Sequence, residues 1–169
     1  MPMHVVLLEL VIDPVCALAF EAAPGEAAAM QRPPRRASEP LFGLRQLAGA
    51  AWAGAILLGV LLLLYGGSAA ILPIDAARGA AFAGLVVANL TFAFVASTVP
   101  GQGLLDRSRR SFWAICALAL AVLCGVLAIP AWGEMFSVAL PPPVWLVIAL
   151  TAGAGAGAVA LRLSSHDRA

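Results

Sequence analysis

The chain has 169 residues, of which 62% are hydrophobic and 11% charged, and its mean hydropathy is +0.96. A soluble domain does not carry that balance; the composition is that of an integral membrane protein. A formal net charge of +1, with all ten basic residues arginine, excludes a nucleic-acid footprint.

The first apolar stretch, 4–20 (HVVLLELVIDPVCALAF), carries Glu9 and Asp13 in its middle with Pro14 directly behind. Four residues apart on a helix, the two carboxylates share one face. Each costs roughly 2.5–3.5 kcal/mol at the bilayer centre on insertion scales, so two of them need a reason. Pro14 lacks an N–H and its ring clashes with the carbonyl of Leu10, which opens the helix there. Freed carbonyls beside carboxylates are the hard oxygens that replace the water shell of a hard cation. Ion or proton binding is preferred here to a polar helix–helix contact. A signal peptide is disfavoured, because there is no basic n-region and the apolar run contains two acids.

Residues 21–45 form the one long polar loop, with Arg32, Arg35, Arg36 and Arg45 and prolines at 24, 33, 34 and 40. The run Arg32-Pro33-Pro34-Arg35 is expected to be extended and stiff. Four more apolar spans are expected at about 46–65, 80–99, 112–130 and 143–161, each near the 20 or so residues a helix needs to cross a bilayer. The second is filler, with Trp52 and Tyr65 as packing or interface anchors. The third carries Asn89 and Thr91 at mid-depth, where an amide serves more often as interhelical glue than as a ligand. The fourth starts with Phe112 and Trp113 at the interface and stops at Pro130. The fifth contains Gly153 and Gly157, a GxxxG pair that admits a close helix neighbour. Cys16, Cys116 and Cys124 all fall in apolar runs and read as buried small hydrophobes.

The arginines set an orientation. Nine lie in the loops after spans one and three and in the tail, against Arg78 alone on the other side. By the positive-inside rule, residue 1 starts outside while loop 21–45 and the C-terminus are cytoplasmic. The expected fold is an all-α integral membrane bundle of about five helices over residues 1–169, the first broken at Pro14. No catalytic constellation, nucleotide loop or metal cluster stands in the chain, so it is expected to catalyse nothing alone.

The segment PMHVVLLELVIDPVCALAFEAAP followed by MQRPPRRASEPLF resembles P-type cation-transporting ATPases of the calcium-pump-like group. More narrowly, it resembles a bacterial branch whose sixth membrane helix reads LExxIDPxCxxxFEAEP and leads to a loop with Met-x-Arg-Pro-Pro-Arg and Glu-Pro-Leu. Met30, Arg32, Pro33, Pro34, Arg35, Glu39, Pro40 and Leu41 stand in that order here. The later spans are similar in layout to the family's seventh to tenth helices.

The resemblance implies that Asp13 binds the transported ion. Glu9 stands where calcium pumps have an asparagine, Ile12 replaces a threonine ligand and Pro14 a glycine. It implies a cargo of Ca2+, another divalent cation or H+, with Asn89 as the nearest polar candidate for support from the eighth helix. Arg32, Pro33, Pro34 and Arg35 would form the coupling loop. No cofactor is expected in this chain; ATP and Mg2+ would act through an upstream polypeptide carrying the phosphorylation, nucleotide and actuator domains and the first five membrane helices. The expected setting is a bacterial plasma membrane, and the chain would be a fragment of such a pump. The alternative is a free-standing small membrane protein, whether channel, carrier or structural subunit, without ATPase activity.

Overall fold

The computed structural model describes residues 43–96 and 110–166, with the backbone alone for 45, 46, 95, 96, 111 and 160–166. Within them the chain forms α1 (Leu44–Ala69), α2 (Ile74–Ala96), α3 (Arg110–Ala128), α4 (Pro130–Phe136) and α5 (Pro143–His166), and no strand is present among the described residues. The protein is an all-α integral membrane domain. Stretches Leu47–Ala69 of α1 and Ile74–Phe94 of α2 are each long and apolar enough to cross a bilayer; α3 with α4 forms a third such unit, bent by 92° at its joint. In α5 the apolar part runs over Pro143–Val159.

Helix ends follow local chemistry. At the end of α1 the Ser68 carbonyl accepts the Ile71 and Leu72 amides at 3.0 and 2.7 Å, and the Ser68 hydroxyl donates to the Tyr65 carbonyl at 3.0 Å. These bonds satisfy groups that a helix terminus leaves open. Pro73 then holds Leu72 out of helical conformation and sets φ for the next helix, so α2 begins at Ile74, six residues before the expected span. Asp75 lies in the first turn of α2, where a carboxylate opposes the helix dipole. Its exposed pair with Arg78, at 3.2 Å, contributes about 0–1 kcal/mol.

Pro130 does more than end the fourth span. Having no N–H and a ring that blocks the carbonyl of Val126, it stops α3 at Ala128, with Ile129 extended at φ −94° and ψ 111°. The same residue suits the first turn of a new helix, so α4 starts on it almost at a right angle to α3. Ser137, left-handed at φ 49°, closes α4, and the Val138 amide reaches back to the Gly133 carbonyl at 2.9 Å. A methyl on Gly133 would stand 2.6 Å from the Val138 carbonyl, so the position needs glycine. The chain is then tied to the first turn of α2 by the Ala139 amide, which donates to the Asp75 carbonyl at 2.9 Å.

Packing centres on α2. Its most extensive partner is α5, and α1 lies across both. The main core joins Leu64 of α1, Ala80, Ala83 and Val86 of α2, Leu123 of α3 and Ala149 of α5. Bilayer lipid is as apolar as leucine, so helices here gain little from hiding apolar surface and associate through close backbone approach. The α2–α5 seam shows it. A methyl on Gly153 would run into the backbone of Gly84, and one on Gly157 would lie 2.5 Å from the Ala88 carbonyl. The GxxxG pair therefore admits α2, as the sequence predicts.

One expectation about side chains changes. Cys116 is buried beside Ala93 and Phe112, but Cys124 lies on the exposed face of α3. A thiol in an apolar run is as acceptable to lipid as to protein, so the run alone does not bury it. Trp113 joins Phe94 and Phe112 in a ring cluster with centroids 5.6–6.0 Å apart. Cys16 lies outside the described residues.

Candidate ion-binding site

Of the residues singled out from the sequence, Glu9, Asp13, Arg32, Pro33, Pro34 and Arg35 lie outside the described residues, as does the break at Pro14. Asn89 is placed, on α2 and half-buried. Its surroundings follow from the seam. Gly84 meets the Gly153 backbone and the Ala149 carbonyl of α5, and the Leu64 and Leu61 side chains of α1. Asn89 is five residues further on, about 140° around the helix at 3.6 residues per turn. It thus lies off the Gly84 contact, on the stripe of α2 that carries Val86 and Ala93, and Ala93 packs against Phe112 and Cys116 of α3.

The Asn89 amide nitrogen donates to the Leu85 carbonyl at 3.0 Å, within its own helix. Thr91 behaves in the same way, its hydroxyl donating to the Val87 carbonyl at 2.8 Å. The expectation of Asn89 as interhelical glue gives way to an intrahelical bond, in which a short polar side chain competes for a carbonyl one turn back in its own helix. The bond uses the donor end of the amide. The Asn89 oxygen, a hard acceptor, has no partner among the described residues.

A second polar feature lies at the other end of α2. Asp75, Glu134 and Ser137 line an open cleft of about 690 Å³ between the start of α2, the end of α3 and the segment after α4. Its acids are exposed and one is engaged by Arg78. Among the described residues no three His, Cys, Asp or Glu side chains stand together as a metal would require. The cleft escapes a reading that takes Pro130 only as a stop, though Pro at the head of PAWGEMF is a helix-start signal.

No curated protein matches the chain closely enough to count as a relative. The family model described as cation transporting ATPase, C-terminus, matches residues 1–162, taking in the acidic stretch, the proline-rich loop and the helices α1 to α5 almost to their end. The chain therefore belongs to the family of cation-transporting ATPase C-terminal membrane domains.

Proposed function

We propose that this chain supplies part of the intramembrane cation site of a P-type pump, with Asp13 and Glu9 as the charged ligands and the Asn89 oxygen as a neutral one. The observation that carries the reading is that one family match spans both the acidic stretch and α2, so that the carboxylates and the amide belong to one transport unit. Asn89 supports it with an acceptor oxygen that is free of partners among the described residues.

The chemistry is ion exchange between water and a ring of oxygens. A calcium-like ion takes 6–8 oxygen ligands, more than two carboxylates, an amide and a few opened carbonyls supply. The remainder comes from other membrane helices of the pump, on the same polypeptide or another. Two carboxylates one turn apart also suit a smaller divalent ion, or a proton shared between them. ATP and Mg2+ act at the phosphorylation and nucleotide domains, which lie in other parts of the pump. The stiff Arg32-Pro33-Pro34-Arg35 run is the mechanical link: movement of those domains reaches the break at Pro14 through it. In this reading residue 1 faces outside, and loop 21–45 and the C-terminus face the cytoplasm of a bacterial cell.

The test is Asp13→Asn in the assembled pump. Cation-dependent phosphorylation should be abolished, whereas Arg36→Ala on the solvated loop should leave it almost unchanged. Normal transport by Asp13→Asn would remove the site assignment.

A further inference from the structure

The joint at Pro130 points to a second surface, unconnected with the ion site. We infer that α4 is an interfacial anchor, whose Trp132 and Met135 rest at the headgroup–acyl boundary of the leaflet at that end of the bundle while Glu134 stays in water. The inference rests on α3 crossing the bilayer and is independent of which residues bind the cation.

Three observations carry it. The first is direction: α4 is turned by 92° from α3, so if α3 crosses the bilayer α4 runs along its surface. The second is the distribution of side chains around those seven residues. Gly133 and Phe136 are buried and form the side facing the protein. Trp132 and Met135, 45% and 52% exposed, lie about 60° apart on a second side, while Glu134 sits about 160° from Trp132, at 3.6 residues per turn. The third fixes which side faces the membrane. The Trp132 ring folds back against Gly125, where a methyl would stand 2.8 Å from it. Gly125 lies inside α3, nearly a turn before its end at Ala128. The indole thus points back along the span into the apolar layer, and Glu134, across the helix, points out of it.

A short amphipathic helix with tryptophan on its membrane side is how chains seat themselves at the interface, where the indole has an apolar body and a polar N–H to satisfy. The exposed apolar side of α4 is also continuous with the lipid-facing surface of α3, through Ile129 and Ala128 to Cys124 and Leu120. That continuity selects lipid as the occupant. A protein partner on α4 would have to interrupt the same surface.

The experiment uses the full chain in phosphatidylcholine nanodiscs, where both membrane faces are open to water. Single-cysteine variants are made with the other native cysteines replaced by alanine: Glu134→Cys, Met135→Cys and native Cys124 alone. Each is exposed to a membrane-impermeant maleimide. Glu134→Cys should label fast and Met135→Cys about tenfold more slowly, since an apolar setting disfavours the thiolate. Cys124 should stay unlabelled. In parallel, Trp132 is kept as the one tryptophan by Trp52→Phe, Trp113→Phe and Trp145→Phe. Its emission should be quenched most by lipids brominated near the headgroup end of the chain. If that triple variant fails to fold, the cysteine series decides. Equal labelling of Glu134→Cys and Met135→Cys would overturn the anchor, as would a Trp132 that brominated lipid does not quench. Rapid labelling of Cys124 would show that α3 is not a span and would overturn it too, without touching the assignment of Asp13.

Discussion

Helices α1 and α2 are joined by a short turn and are similar in length, yet they sit in the molecule in opposite ways. In α1 only 17% of the most apolar stretch is buried in protein, whereas in α2 the share is 50%. It is the more apolar helix that faces outward, with Leu47, Trp52, Leu58, Leu62 and Leu63 exposed. The less apolar one, built from Ala77, Ala80, Ala83, Gly84 and Ala88, forms the centre. In water that arrangement would be inverted. In a bilayer, large apolar side chains satisfy lipid, and the helix that must touch several neighbours is made of residues small enough to let backbones meet.

That contrast predicts a graded series of substitutions, each read by unfolding of the purified chain in mixed micelles with far-UV circular dichroism. Gly153→Leu, which drives a side chain into the Gly84 backbone, should be the most damaging, at more than about 3 kcal/mol and with loss of the α2–α5 pair. Gly79→Ala places a methyl against the Ala139 carbonyl and should cost about 1–3 kcal/mol. It should also speed hydrogen exchange at the Ala139 amide, which loses its place on Asp75. Asn89→Leu removes an intrahelical bond only and should shift stability by about 0.6 kcal/mol or less, although in the assembled pump it should weaken apparent cation affinity about tenfold. A cost for Asn89→Leu as large as that for Gly79→Ala would mean that its amide does more than bond back onto Leu85. Leu63→Ala, on the exposed side of α1, should change stability by no more than about 0.5 kcal/mol.

Much of this architecture can be read from the residues, and the parts that cannot have identifiable causes. Long apolar runs locate the spans because the thickness of a bilayer imposes a length. Gly153 and Gly157 announce a close neighbour because nothing else explains two glycines one turn apart in lipid. Apolarity does not say which way a side chain faces when protein and lipid are equally good solvents for it, which is why Cys124 lies on the outside. Helix α4 escapes because seven residues are too few for a periodic pattern and Pro130 serves both as stop and as start. Asn89 is visible as a polar residue at depth, but only its distance from a neighbouring helix decides whether its amide bonds across or back onto Leu85. Glu9 and Asp13, the strongest signal in the chain, rest on chemistry alone: acids in an apolar run demand a compensating partner.

The turn between α1 and α2 is only four residues, 70–73, and the hydroxyl and carbonyl of Ser68 already occupy the polar groups at its start. So brief a connection leaves little room for one helix to settle in the bilayer without the other. During synthesis the two would partition from the translocon as a single hairpin, with the leucine-rich leading arm carrying the polar trailing arm and its Arg78, Asn89 and Thr91 into place. The less apolar of the two helices thereby becomes the centre of a membrane domain.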